Sequence, residues 1–348
     1  MEQRQAYTEA LLGEIALRRH EWQTARTIYF GGGTPSLMPP DSLALLLQAI
    51  GTEHAQEITL EANPGDITPS LLQAWRQTGI NRLSIGIQSF DDRLLRRIGR
   101  RHTAAQALQA VHMAQDEGLD NLSIDLMYGL PGQTMQQWQA DIRQALQQGI
   151  QHLSCYCLSY EDGTPLTTQL QQGLIEPQDE QTLNDMYDLL CDTLAANGFE
   201  HYEVSNFARL GFRSRHNSSY WADIPYVGLG AGAHSYTIDP LHDRRTRSWN
   251  ISDVETYICS IHQGQRPSEQ EELTAEQYRT EQIMLSLRTA EGVAKQVLTR
   301  DQTPDNCQRI LHKVKQYEQQ QCLRSTPTHI VATRQGLHIL NRIIEDLL

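Results

Sequence analysis

Along the first 210 residues the apolar positions switch between two periods. Short β-type runs fall at 27–31, 57–63, 82–89, 122–128, 152–160 and 200–207. Helical spacing occupies 4–20, 41–50, 69–78, 91–98, 104–117, 135–148 and 179–196. Thr68 before Pro69 reads as an N-cap followed by a first-turn proline, and Gly79, Gly118, Gly149 and Gly198 follow helix ends. Strands alternating with helices at this spacing predict a parallel sheet with right-handed crossovers. Six such strands predict an α/β fold built as an open or partial (β/α)6 barrel, with a doubly wound sheet as the alternative. From 211 to 269 the alternation stops and Gly, Arg, Ser and aromatic residues dominate. Helical patterns return at 274–289 and 305–320, with β-type residues near 329–333 and a last helix after Gly336. The expected division is therefore a barrel over 1–210, a connecting segment over 211–269 and a helical, winged-helix-like domain over 270–348.

Splitting the strands by face sharpens this picture, because side chains alternate across a strand. Ile58, Leu60 and Ala62 oppose Thr59, Glu61 and Asn63. Leu83, Ile85 and Ile87 oppose Ser84, Gly86 and Gln88, and Leu122, Ile124 and Leu126 oppose Ser123, Asp125 and Met127. Three successive strands thus carry one apolar and one polar or small face. The apolar faces should meet the helices. Polar faces inside a barrel cost stability unless they are satisfied, so a ligand along the interior explains them better than a solvated sheet face does. Active sites of α/β barrels lie at the carboxyl ends of the strands. There the sequence places Gly31-Gly32-Gly33-Thr34-Pro35 and Tyr128-Gly129-Leu130-Pro131-Gly132. The first is not a phosphate loop, since no Gly-Lys-Ser/Thr follows it.

Composition narrows the classes. The 29 Lys and Arg against 42 Asp and Glu give a net charge of −13, which disfavours general nucleic-acid binding. Mean hydropathy is −0.51 and no apolar run approaches a membrane span of about 20 residues. The opening residues carry no apolar signal core, so a cytoplasmic protein is expected. The six cysteines, at 155, 157, 191, 259, 307 and 322, are scattered and read as free thiols.

Gly31–Pro35, Glu61-Ala62-Asn63-Pro64, Gly86-Ile87-Gln88-Ser89-Phe90, Arg100-Arg101-His102 and the run Asp125–Thr134 follow one another in order. Together they resemble the radical S-adenosylmethionine (SAM) proteins related to oxygen-independent coproporphyrinogen III oxidase, and within these the heme-chaperone branch called HemW. The resemblance implies that Gly32, Gly33 and Thr34 hold the amino group of SAM. It implies that Glu61, Gln88 and Asp125 bind the ribose and amino-acid portions, and that Arg100 pairs with the carboxylate. It also implies a 4Fe-4S cluster on a C-x-x-x-C-x-x-C loop that follows a first strand. No such loop occurs in this sequence, which opens at what should be the next helix. The expected barrel therefore lacks its first strand and cluster-binding segment. Cys155 and Cys157, two thiols on one face of a different strand, do not replace three ligands.

Arg215-His216-Asn217-Ser218-Ser219-Tyr220-Trp221 lies in the middle segment. Histidine is a common axial ligand of heme iron, and a neighbouring Tyr or Trp can stack on the porphyrin or ligate it. Six arginines (209, 213, 215, 244, 245, 247) stand within 209–247 against Asp223, Asp239 and Asp243, and guanidinium groups suit heme propionates. HNxxY, intact at His216, Asn217 and Tyr220, is the pattern by which the resembled branch binds heme through its histidine. Gly228–His234 superficially matches a dinucleotide loop but lacks the βαβ context, so it reads as backbone close-packing, with His234 a secondary ligand candidate. The expected function is a heme chaperone that passes heme to acceptor hemoproteins of the respiratory chain. The resemblance allows a homodimer and a peripheral place at the inner membrane. The alternatives are a coproporphyrinogen III oxidase-like enzyme of porphyrin biosynthesis and a cluster-free scaffold that binds partners only, which leaves enzymatic activity open.

Overall fold

A computed structural model describes residues 2–22, 24–242 and 244–348; Asp243, one of the acids set against the arginine-rich stretch, lies outside the described residues. The chain divides into two compact units. One comprises 29–37 and 57–214; the other comprises 1–28, 38–56 and 215–348.

The main sheet holds seven strands: β1 (Thr27–Phe30), β2 (Glu57–Ala62), β3 (Arg82–Gln88), β4 (Leu122–Tyr128), β5 (His152–Cys157), β6 (Glu200–Glu203) and β7 (Asn206–Ala208). Their order is β1-β2-β3-β4-β5-β7-β6, and the pairs from β2 to β5 are parallel. The sheet curls into a half-barrel, as the alternation of strands and helices predicts. Its outer face is apolar: Leu60, Leu83, Ile85, Ile124, Leu126 and Leu153 are fully buried. The helices that cover it present stripes at helical spacing, such as Ala107, Ala110, Val111 and Ala114 on Ala104–Asp116, and Trp138, Ile142 and Ala145 on Met135–Gln147. Each of these two helices starts with a capping box, Thr103 with Gln106 and Thr134 with Gln137. Thr68 caps Pro69–Gln77 by accepting a hydrogen bond from the Leu71 amide.

Two elements differ from expectation. The run 200–207 is not one parallel strand. It is a tight hairpin, β6 and β7, with β7 antiparallel to β5. The Glu203 carboxylate accepts a hydrogen bond from the Ser205 amide and fixes the turn that reverses the chain. The stretch 211–269 is also not irregular. It contains the helices Arg215–Trp221 and Val254–His262 and the antiparallel strands β8 (His234–Asp239), β9 (Arg244–Asn250) and β10 (Ser268–Glu272). β10 is exposed throughout and β9 is mostly half-buried, so neither strand needs the apolar alternation that reveals a strand in sequence.

The C-terminal residues form a three-stranded sheet, β11 (Val293–Ala294), β12 (Leu323–Ser325) and β13 (His329–Ala332), in the order β11-β13-β12. Ile283, Leu298, Ile310, Ile330, Ile343 and Leu347 join helices and sheet in one core. Gly336 lies against the chain before β12, and a Cβ there would sit 1.9 Å from the Cys322 carbonyl oxygen. That atom is backbone and cannot rotate away. Gly336→Ala is therefore expected to lower stability by about 1–3 kcal/mol, the usual penalty of overpacking. Urea unfolding of the full chain checks this, and an unchanged midpoint would contradict the packing described.

Candidate functional site

The polar faces of β2, β3, β4 and β5 point into the half-barrel and meet one another. At the base, Glu57, Thr59, Arg82, Ser123 and His152 are buried. Ser123 Oγ lies 2.7 Å from His152 Nδ1, and His152 Nε2 lies 2.7 Å from the Tyr202 hydroxyl. Burial pushes His152 well below the ordinary histidine range, so the ring is neutral.

Above this layer stand two carboxyl groups. Asp125 accepts hydrogen bonds from Ser84 Oγ at 3.0 Å and, more weakly, from Ser123 Oγ at 3.5 Å. Glu61 accepts one from the Tyr29 hydroxyl at 2.6 Å, and the Gly32 amide donates to it as well. Burial pushes both carboxyls above the ordinary range, and the charge of Asp125 raises Glu61 further. Burial and the neighbouring Glu61 drive the Tyr29 phenol far upward, so Tyr29 stays a hydrogen-bond donor. A Cβ on Gly31 would fall 2.6 Å from the Tyr29 ring and 3.2 Å from Glu61 Oε1, so this loop passes the carboxylate only as glycine. Gly32 has φ +93°, a conformation that glycine adopts freely, and nothing crowds Gly32 or Gly33 within 4 Å. Ser36 Oγ donates to Asp66 at 2.8 Å and fixes the turn that follows Thr34.

Gln88 is buried at the end of β3, and Arg100 Nη1 reaches Asn63 Oδ1 at 3.3 Å. Glu61, Gln88, Arg100, Asp125 and the glycine loop thus belong to one unit. Two carboxyls and a carboxamide can accept from an ammonium group and a diol; a guanidinium can pair with a carboxylate. The donor set suits a zwitterionic amino acid joined to a sugar. Tyr29, Ser84 and Arg82 escaped the sequence-based site assignment. Splitting Thr27-Ile28-Tyr29-Phe30 by face, as for the longer strands, would have placed Tyr29 on the polar side.

The cysteines do not fit an iron–sulfur cluster. Cys155 is buried on the helix-facing side of β5, and burial raises its thiol well above the ordinary range, the reverse of what a thiolate ligand needs. Among the described residues, no group of three or more His, Cys, Asp and Glu is arranged to hold a metal ion.

In the other unit the short helix Arg215–Trp221 places His216 and Tyr220 four residues apart, on one face. His216 Nε2 lies 3.0 Å from the Tyr220 hydroxyl, and Nδ1 lies 2.9 Å from Thr27 Oγ1. The two rings meet edge to face at 5.0 Å, and Tyr220 meets Tyr226 similarly at 4.7 Å. The helix leads into Asp223 at φ +56°, whose carboxylate accepts from Tyr236 at 2.7 Å and Tyr278 at 2.6 Å. Thr27 gave no sequence signal, because its contact bridges 189 positions. Asn217, one position on from His216, is off the His216–Tyr220 face.

The six arginines each have a partner of their own. Arg209 lies over Phe199 and Arg213 pairs with Glu200; Arg215 donates to Gln56. Arg244 lies near Asp239 and Glu272, Arg245 stacks 3.6 Å over Tyr278, and Arg247 pairs with Glu281. His234 is exposed and stacks on Trp249. The Gly228–His234 loop is close-packed backbone as expected: a Cβ on Gly228 would lie 2.1 Å from the His234 carbonyl oxygen.

Comparison with known proteins follows this geometry. The radical SAM superfamily profile matches residues 2–145, and the HemN C-terminal domain profile matches 273–339. The heme chaperone HemW of Lactococcus lactis subsp. lactis (strain IL1403) is 38% identical over 292 residues, covering 83% of this chain and 75% of that one. The heme chaperone HemW of Synechocystis sp. (strain ATCC 27184 / PCC 6803 / Kazusa) is 38% identical over 295 residues, covering 82% and 70%. The solved structure of coproporphyrinogen III oxidase (HemN) from Escherichia coli covers all of this chain and 84% of its own, with a TM-score of 0.80 at 20% identity, and shows the same fold. With relatives above 30% identity spanning most of both sequences, the chain belongs to the HemW heme chaperone family of radical SAM proteins.

Proposed function

We propose that the chain is a heme chaperone, which takes up heme through His216 and passes it to acceptor hemoproteins, and that the interior of the half-barrel binds SAM. The observation that carries the heme reading is the paired environment of the His216 ring. Iron ligation needs a free lone pair on one ring nitrogen. Thr27 can accept from Nδ1–H, which leaves Nε2 with its lone pair toward the Tyr220 hydroxyl; orienting partners of this kind accompany metal-ligating histidines. Tyr220, 39% exposed on the same helical face, supplies a ring edge beside the incoming porphyrin, and its hydroxyl turns from Nε2 as the iron takes its place. Family membership supports the same reading. Asn217 completes the motif, and acceptors in the respiratory chain remain part of the proposal.

For SAM, Gly32, Gly33 and Thr34 would receive the amino group. Glu61, Gln88 and Asp125 would receive the ribose and the amino-acid portion, and Arg100 the carboxylate. Two carboxyls whose pKa values burial raises gain from a ligand that brings positive charge and hydroxyl donors. Among the described residues no thiolate set fits a cluster, and SAM is proposed as a bound ligand of the interior face. Among the described residues no helix is long and apolar enough to cross a membrane.

Hemin titration of the full chain, followed in the Soret band, tests the first part. A saturable one-to-one shift is expected, and His216→Ala should weaken it at least tenfold, about 1.4 kcal/mol. Thr27→Val, which keeps the shape and removes the acceptor, should weaken it by a smaller factor. Equal affinity for wild type and His216→Ala would overturn the assignment.

The interior carboxyls generate a stability prediction with a definite sign. The Asp125 pKa is raised in the folded chain, so its favourable contribution is present at low pH and is lost as pH rises through the folded value. Asp125→Asn removes that loss. Its melting temperature should exceed wild type by more at pH 8 than at a pH near the ordinary Asp value of about 3.9, while SAM binding measured by calorimetry falls. A variant less stable than wild type at pH 8 would show that the carboxylate serves the fold and not a ligand.

A further inference from the structure

β3 ends in a strained turn at Gln88. Gln88 has φ +71°, in the left-handed region that a residue with a side chain rarely enters. The Ser89 amide donates to the Ile87 carbonyl at 2.9 Å, which closes a γ-turn about Gln88, and γ-turns with positive φ are rare and strained. The pairing with β4 slips at the same place: Gly86 stands opposite Asp125, yet Gln88 stands opposite Leu126. The turn folds the Gln88 amide back over Gly86. A Cβ on Gly86 would lie 3.0 Å from Gln88 Nε2 and 4.0 Å from Asn63 Oδ1, so a side chain there would push the folded amide aside.

Strain of this kind persists only where surrounding bonds over-determine it. Here the turn is pinned on both flanks. Before it, the Ile87 carbonyl accepts a second hydrogen bond, from His102 Nε2 at 3.0 Å. A carbonyl cannot donate, so His102 carries its proton on Nε2; burial holds the ring neutral by pushing its pKa down. After the turn, Asp141 on the helix Met135–Gln147 accepts from Ser89 Oγ at 2.8 Å and from the Phe90 amide at 2.7 Å. Ser89 Oγ in turn accepts from the Asp91 amide at 3.1 Å, which ties the clamp to the residue that caps the next helix. Both clamping side chains are buried, and each bonds a residue beside the turn, His102 at Ile87 and Asp141 at Ser89 and Phe90.

We propose that His102 and Asp141 are positioning residues that clamp the γ-turn at Gln88 and so hold its carboxamide folded over Gly86, beside Asn63, on the interior face. The consequence for ligand binding rests on the reading that this face binds SAM; the clamp itself does not. Neither residue touches the ligand in this account. Each acts through the backbone on either side of Gln88.

The test is a pair of mutational cycles on the full chain. In the native background Gln88→Gly should melt several degrees above Gln88→Ala, because glycine accepts φ +71° without strain. In a His102→Ala background the turn is free to relax, so the gap between the same two substitutions should fall by at least half. Ser89→Ala, a milder removal of one Asp141 bond, should shrink it in the same direction and serves if His102→Ala does not fold. A gap that is unchanged by both substitutions overturns the clamp. The second cycle reads binding of S-adenosylhomocysteine by calorimetry. His102→Ala should weaken it about fivefold or more when Gln88 is present and leave it unchanged when Gln88 is already alanine. Equal weakening in both chains overturns action through Gln88. Absence of any binding by the native chain overturns the ligand reading instead, while the melting cycle still decides the clamp.

Discussion

The interior carboxyl groups are the constraint on which the half-barrel depends. Strand alternation sends every second residue of β2, β3 and β4 inward, and the inward set includes Glu61 and Asp125. Burying two carboxyls near each other is unfavourable, and much of the surrounding structure offsets it. Serine hydroxyls aim at Asp125, and the Tyr29 phenol and the Gly32 amide aim at Glu61. Gly31 must be glycine to let the loop pass, and Gly86 leaves the space into which the Gln88 amide folds. A sheet built only for stability would fill this face with branched apolar residues. This one retains two carboxyl groups on a shared face, the arrangement expected where a ligand completes it.

The face proposed to bind heme stands on a different kind of support. The helix Arg215–Trp221 has no buried residue and only seven positions, too few to be stable alone. Its C-terminal end is tied through Asp223 to Tyr236 and Tyr278. The base of that small sheet is tied in turn to buried Glu14, which accepts from Asn250, the Gly230 amide and Tyr257 at 2.7–2.8 Å and pairs with Arg18 at 2.9 Å. A short half-buried helix, tied at its C-terminal end through Asp223, can present a histidine without covering it fully. That suits a protein that must also release what it binds.

Much of this was legible in the sequence, and the failures have physical causes. The half-barrel strands and their faces were readable because one face of each is buried, so period two survives in the residue types. Helices with Thr caps were readable because the cap is local. The helix Pro165–Gln171 carries the same Thr-Pro start at Thr164 and was still missed, because seven residues give too little periodicity. β9 and β10 were invisible because exposed strands carry no apolar pattern. The hairpin at 200–208 was read as one strand because a turn of two ordinary residues, Val204 and Ser205, leaves no Gly, Pro or Asn signal. Face alternation put Glu61, Gln88 and Asp125 inside the half-barrel, and the resemblance to a known family singled them out from their neighbours on that face. Thr27, which holds the His216 ring, and Asp141, which holds the Gln88 turn, could not be, since their contacts span 189 and 51 or 52 positions.

The central claim is delivery of heme and not merely its capture. It is tested most directly by loading the chain with hemin and mixing it with increasing concentrations of an apo respiratory hemoprotein. The rate of heme loss is compared with spontaneous release to excess apomyoglobin. The account predicts a transfer rate that climbs with acceptor concentration above the spontaneous rate, and that His216→Ala abolishes this excess. A transfer rate independent of acceptor and equal to spontaneous release would contradict it and leave a heme-binding protein without chaperone function.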